Sequence, residues 1–324
     1  MHSTSILRAI VQHFGVAADC VGLEHYLPCP TESGKAAVRM QLAAINPSDL
    51  ITISGAYPTR TQLPFVPGFE GVGTVELSTG GKRVLPLGSA GGWQQIKYSD
   101  PAWCFEVPQW MTDEQAATSY VNPMTAWLML NDVLQLPVGA CIAINAANSA
   151  IGVMLLRMAA RLKLNTVAIV RNQAAAKSLD KASPGTVMLM ESAEDQRAVL
   201  AINSAGGLDA VLDCIGGKGA VTLATALKPS GKFISYGLLS GEPIPKAFWL
   251  KRPDIHFSYF HLRQWIHHAS RPQIAAKLNE VFDLIRDGVA KTQIAAIFPL
   301  TDISAALRFC QQQRPAGKIL IQCR

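Results

Sequence analysis

Two periods of apolar positions succeed one another along the chain. Up to about residue 120, short apolar runs alternate with turns containing Gly and Pro. These runs are Ala37–Ile45 with Arg39 and Gln41 alternating into it, Gly71–Leu77 after the Pro67-Gly68 turn, Lys82–Leu87 and Trp93–Tyr98. Many short strands between turns predict a sandwich or barrel. The period then changes. Thr125–Leu134 reads as a helix, Cys141–Asn145 as a short buried strand, and Ile151–Leu162 as a helix whose Val153, Leu156 and Ala160 fall at helical spacing. Thr166–Val170, Thr186–Met190, Leu208–Cys214 and Lys232–Tyr236 are further strands with helical patterns between them. Strand and helix in alternation predict a parallel sheet with helices on both faces, an α/β class. In the last stretch, Pro272–Arg286 is an amphipathic helix stopped by Gly288, Ile303–Gln312 is a second helix, and Lys318–Gln322 is a terminal strand that returns to the first domain.

Composition narrows the picture. Of 324 residues, 49% are hydrophobic and 16% charged, which places the chain well outside the disordered regime and gives it a large core. The net charge of +6 is scattered, with no block of five or six like charges, so no nucleic-acid-binding tail is expected. The longest uncharged run, Val133–Leu156, contains Gln135, Pro137, Asn145, Asn148 and Ser149, which argues against a membrane span. The Ile6–Val11 stretch is short and carries Arg8, so it does not read as a secretory signal. Cys20, Cys29, Cys104, Cys141, Cys214, Cys310 and Cys323 are odd in number, and none pair at C-x2-C spacing. A disulfide framework and a structural zinc knuckle are both disfavoured, and a reduced, cytoplasmic setting is expected.

The first candidate chemistry lies after Cys141–Asn145. There the chain runs through Ala146, Ala147, Asn148, Ser149, Ala150, Ile151 and Gly152 into a helix. A strand entering a turn of small residues before a helix is where a dinucleotide pyrophosphate binds, because free N–H groups and the helix dipole face the anion. Only Gly152 of a three-glycine G-x-G-x-x-G pattern is present, so an ordinary strand-to-helix connection is the competing reading. The next strand ends in Arg171, Asn172 and Gln173. An acidic residue there would select NAD; Arg171 instead suits a 2′-phosphate and points to NADPH, against the alternative of a solvated surface arginine.

The run Ile45-Asn46-Pro47-Ser48-Asp49-Leu50, then Gly55-Ala56-Tyr57-Pro58, then Pro64-Phe65-Val66-Pro67-Gly68-Phe69-Glu70-Gly71-Val72-Gly73 resembles the medium-chain dehydrogenase/reductase superfamily in its zinc-independent, quinone-reductase-like branch. Val121-Asn122-Pro123-Met124-Thr125-Ala126, Asn145–Gly152 and Phe260-His261-Leu262-Arg263-Gln264-Trp265 resemble segments of its 2-enoyl thioester reductases, whose mitochondrial members serve fatty acid synthesis. The resemblance covers essentially the whole chain. It implies a GroES-like, β-rich catalytic domain from residues 1–120 and 267–324, a doubly wound Rossmann domain from 121–266, and an active site in the cleft. Zinc alcohol dehydrogenases of the superfamily place a Cys near Asn46 and a His near Phe69. Neither is here, so no metal and no zinc mechanism are expected.

The resemblance also implies roles. Tyr57 matches the catalytic tyrosine, which would protonate Cα after hydride transfer from NADPH to Cβ of a 2-enoyl thioester, carried on CoA or acyl carrier protein. A packed rim tyrosine is the alternative. Asn122 is expected at the cofactor, with an N-cap for a helix from about Thr125 as its competitor. Asn148, Ser149, Ala150, Ile151, Arg171, Tyr236, Gly237, Leu238, Leu239, Phe260, Leu262 and Lys318 are further expected cofactor contacts, and Asn46 and Trp265 pocket linings. His256, His261, His267 and His268 are read as structural or surface residues, the last two adjacent on a helix and pointing apart. Ala150 stands where the family usually has Gly, and Gln173 where a second Arg often follows. Beside the enoyl reductase stand two alternatives: a quinone or reactive-enone reductase, and a non-catalytic NADPH-binding protein. A small-molecule substrate and a homodimer are expected.

Overall fold

A computed structural model describes residues 5–27, 34–77, 80–179, 185–190, 192, 195–313 and 317–324; Cys29 lies outside them. The chain divides into two compact units. The first comprises Met1–Val121, Arg263–Asp287 and Lys291–Arg324, and the second Asn122–Leu262 and Gly288–Ala290.

The first unit is β-rich. Its main sheet runs in the order Ile294–Pro299, Lys318–Gln322, Ala36–Ala44, Gly71–Leu77, Gly80–Pro86, Cys104–Glu106, with Ile96–Ser99 also paired to Ala36–Ala44. The terminal strand joins both ends of the chain in one sheet: Leu320, Ile321 and Gln322 pair antiparallel with Ala44, Ala43 and Leu42. Sequence patterning missed four strands here, among them Cys104–Glu106. Ile6–Val11 and Val21–Tyr26 form a separate antiparallel pair, and Ile294–Pro299 lies at the sheet edge. Trp93 precedes its expected strand, which spans Ile96–Ser99. Trp93 is fully buried among Val38, Met40, Ile45, Ile53, Ile303 and Ile321. Its indole N–H reaches Ala44 O at 3.1 Å, so burial leaves no polar group unpaired. The helix Arg271–Arg286 starts at a Ser270/Gln273 capping box with Pro272 in its first turn, and buries Ile274, Leu278, Val281, Phe282 and Ile285.

The second unit carries six parallel strands in the order Thr186–Leu189, Asn165–Val170, Cys141–Ile144, Leu208–Asp213, Leu227–Ser235, His256–Tyr259. Numbered along the chain within this unit, that is 3-2-1-4-5-6, the doubly wound dinucleotide-binding order, whose switch point lies between Cys141–Ile144 and Leu208–Asp213. Ala143, Val167, Ile169, Val211 and Phe233 are apolar core positions of these strands. Val199, Ile202 and Leu223 come from helices on the same core. The helix expected over Thr125–Leu134 differs. An α-helix spans Val121–Trp127 and continues as a π-helical segment, Leu128–Leu134, closed by Gln135 at φ 45°. Three consecutive residues, Leu128, Met129 and Leu130, are buried there, so this segment faces the core on more than one side. Asn122 therefore sits inside the first helical turn and does not cap it.

Candidate active site

In the second unit the predicted cofactor residues follow the carboxyl ends of parallel strands. Asn148–Ile151 follow Cys141–Ile144, Arg171 follows Asn165–Val170, Tyr236–Leu239 follow Leu227–Ser235, and Phe260 follows His256–Tyr259. One sheet edge thus gathers them, the edge at which open α/β sheets take ligands. Ser149 caps the helix Ala150–Arg161, its hydroxyl accepting from Gly152 N–H at 3.1 Å. The N–H groups of Ala150 and Ile151, the first two of this helix, have no partner among the described residues. Free N–H groups at the positive end of a 12-residue helix are suited to an anion. Gly152 lets the helix come this close: a Cβ there would stand 2.6 Å from Ala147 O and 2.7 Å from Ala146 O. Asn148 and Arg171 are exposed, Asn122 and Phe260 buried, and Leu262 half-buried.

Beside the switch point lies a buried polar pair that sequence reasoning missed. Asn145 Nδ2 donates to Asp213 Oδ1 at 2.5 Å, and Asn145 Oδ1 accepts from Cys214 N–H at 2.9 Å. Asp213 also accepts from the N–H groups of Ile215 and Gly216 at 3.2 and 3.1 Å. Burial lifts its carboxyl above the usual carboxylate range, and these donors oppose the rise. Tyr236 turns its hydroxyl inward, out of solvent and against the Cys214 thiol. Its nearest titratable neighbour is Cys214, whose thiol burial pushes up to about 12. Two free helix N–H groups at the carboxyl edge of the sheet fit an anionic dinucleotide.

In the first unit the structure brings Asn46 and Lys318 together, 272 positions apart. The Lys318 ammonium donates to Asn46 Oδ1, and Asn46 Nδ2 donates to Glu70 Oε2 at 2.9 Å. Glu70 Oε1 accepts from the N–H groups of Tyr120 and Val121, both at 2.7 Å. Asp49, in the first turn of the helix Pro47–Ile53, accepts from Asn46 N–H at 2.8 Å and Phe69 N–H at 3.0 Å. All four side chains are buried. Burial pushes the Asp49 carboxyl up to about 7 against these two N–H donors and Lys318. Burial also lowers Lys318, against Glu70 and Asp49. Glu70 and Asp49 lie inside quoted sequence motifs, but nothing in a linear pattern assigns them partners.

Tyr57 follows the same helix in a turn held by Gly55 N–H to Thr52 O and Arg60 N–H to Tyr57 O, each 3.1 Å. It is 44% exposed. Trp265 is half-buried on the helix Leu262–His268, where His267 and His268 are both exposed.

Residues 188–321 match the zinc-binding dehydrogenase family and residues 32–109 the alcohol dehydrogenase GroES-like domain. The zinc of the first description does not fit this chain. Among the described residues no group of three or more His, Cys, Asp or Glu side chains is placed to hold a metal ion. Asn46 and Phe69 stand at the expected ligand positions, and the Asn46 amide is already bonded to Glu70 and Lys318. Human mitochondrial enoyl-[acyl-carrier-protein] reductase is 31% identical over 316 residues, covering 93% of this chain and 84% of that one. A Bacillus thuringiensis structure assigned as an NADPH:quinone reductase is 30% identical, with a TM-score of 0.93 over 99% of this chain and 100% of that one. Escherichia coli quinone oxidoreductase, solved with NADPH, shares the fold at a TM-score of 0.88 and 21% identity, covering 98% and 99% of the two chains. Relatives at this identity along the length of both units settle the family: the chain belongs to the medium-chain dehydrogenase/reductase superfamily of oxidoreductases, in its zinc-independent, quinone-reductase-like branch.

Proposed function

We propose that the protein is an NADPH-dependent reductase of 2-enoyl thioesters, with Tyr57 as its proton donor. One observation carries the reading. A chain 31% identical to a mitochondrial enoyl-ACP reductase along 93% of its length presents a solvent-facing tyrosine in the turn after Pro47–Ile53. The free N–H groups of Ala150 and Ile151, with the Ser149 and Asn148 side chains, hold the pyrophosphate. Arg171 takes the 2′-phosphate through charge-assisted bonds. Asn122, Tyr236, Gly237, Leu238, Leu239 and Lys318 hold the rest of the cofactor, the backbone of Phe260 and Leu262 orients the nicotinamide amide, and Asn46 and Trp265 line the pocket. Bound NADPH supplies the hydride for the β-carbon. The Tyr57 hydroxyl gives its proton to the α-carbon of the resulting enolate and recovers one from water.

NADPH oxidation with a trans-2-enoyl-CoA tests this. Wild type turns over, Tyr57→Phe loses at least about a hundredfold in kcat, and its melting temperature stays put because the side chain is exposed. Equal rates in both proteins remove Tyr57 from the mechanism. A second reading, reduction of quinones or enones, is favoured by the Bacillus thuringiensis relative. Turnover of a quinone without turnover of the enoyl thioester selects it.

A further inference from the structure

We propose that Glu70 is a positioning residue: it locks the Asn46 side-chain amide in the one orientation that presents a carbonyl oxygen to the Lys318 ammonium. The chemistry of the three groups leaves no second arrangement. A carboxylate only accepts and an ammonium only donates, so the amide between them must turn its NH2 to Glu70 and its oxygen to Lys318. Glu70 is itself immobilised, because its other oxygen takes two backbone N–H groups, of Tyr120 and Val121, at 2.7 Å each. The relay thus runs from a clamped carboxylate through an amide to a lysine that begins the strand Lys318–Gln322. Asn46 Oδ1 is the only hydrogen-bond acceptor of the ammonium among the described residues. Its other N–H groups are left for an oxygen of a bound ligand. The inference rests on the cofactor reading above, which has Lys318 touch the nucleotide; Glu70 acts only through Asn46.

Glu70→Gln tests it sharply. The glutamine oxygen still accepts from Tyr120 and Val121, but its NH2 now opposes the NH2 of Asn46, so Asn46 must turn and set a donor against the ammonium. NADPH affinity, followed by fluorescence titration, falls by about tenfold or more. In an Asn46→Ala background, where the relay is already cut, the same change costs less than about twofold. An equal loss in both backgrounds, or none in either, overturns the proposal. A ligand-free readout separates this from the cofactor reading: the 15N resonance of the Lys318 ammonium across a pH titration. Asp49, Glu70 and, from the helix Ile303–Gln313, Cys310 are the titratable groups that act on it. Glu70→Gln shifts the titration of Lys318 down, and the double variant Asn46→Asp/Glu70→Gln restores it by rebuilding donor and acceptor in order. If wild type binds no NADPH, the cofactor reading fails while this titration still decides the relay. An unmoved resonance in Glu70→Gln, or a double variant no better than the single one, refutes it.

Discussion

Gly152→Ala is the most direct probe of the anion-binding turn. The added Cβ would stand 2.6 Å from Ala147 O and 2.7 Å from Ala146 O, about 0.8 Å short of an ordinary 3.4 Å contact, and both neighbours are backbone. No rotamer relieves this, so the helix Ala150–Arg161 and the loop must part. That movement strains the bonds from Ala147 N–H to Ile169 O and from Gly152 N–H to Ser149 Oγ. Overpacking of this kind costs about 1–3 kcal/mol, against up to ~1 kcal/mol gained by replacing Gly with Ala in a helix. The net expectation is a loss of about 1–2 kcal/mol. At ~2–4 °C per kcal/mol for a domain of this size, the second unit melts some ~2–8 °C lower by calorimetry. NADPH affinity falls with it, because the free N–H groups of Ala150 and Ile151 move off their target. A variant as stable as wild type, or more so, would falsify the close approach, since it would mean that the helix-propensity gain meets no steric cost.

Three further changes probe the rest. Asp213→Ala strips an acceptor from Asn145 Nδ2 and the Ile215 and Gly216 N–H groups, and should cost about 3 kcal/mol in urea unfolding; a loss under ~1 kcal/mol contradicts the buried pairing. For Asp49, a folded pKa raised from 3.8 to about 7 means that the unfolded chain releases its proton first. Wild-type stability therefore falls between those pH values, by at most ~1.4 kcal/mol per pH unit, and Asp49→Asn flattens that slope when unfolding is followed across pH 4–7. Arg171→Glu should reverse the preference for NADPH over NADH in kcat/KM by about tenfold or more, with the melting temperature unchanged because the residue is exposed; an unaltered ratio takes the 2′-phosphate away from Arg171.

The inner strands of the parallel sheet were legible because they are buried on both faces, whereas the exposed edge strand His256–Tyr259 was missed. Val167–Val170 and Ala210–Leu212 are uninterrupted apolar runs, and the small-residue turn between Cys141 and Gly152 stands out against them. The strand Ile294–Pro299 was not legible: it lies at a sheet edge with Ile297 and Pro299 exposed, so it lacks a clean alternation. Leu128–Leu134 kept helical apolar spacing, and only packing reveals its π turn. At the site, Arg171 and Tyr236 could be named because each directly follows a strand, whereas Asp213, at the end of Leu208–Asp213, was missed. The Asn46–Lys318 contact spans 272 positions and exists only because strand Lys318–Gln322 pairs back onto Ala36–Ala44. The return of this strand to the first domain was legible, but no local pattern encodes the register of that closure or the side-chain contact that follows.

That closure bears on how this branch manages without a metal at positions 46 and 69. A cation held there would need electron-pair donors with free capacity. The Asn46 oxygen faces an ammonium, the Asn46 nitrogen is a donor, and both Asp49 oxygens and both Glu70 oxygens already accept N–H groups. Each of these acceptors takes at least one donor from the protein before a ligand arrives. The buried lysine at this place is Lys318, whose one hydrogen-bond acceptor among the described residues is Asn46 Oδ1. Two buried carboxylates beside one ammonium favour its charged form, while burial opposes it. Removing either carboxylate therefore weakens the case for a charged lysine, which is why Glu70 and Asp49 matter to this unit although neither is exposed to a ligand.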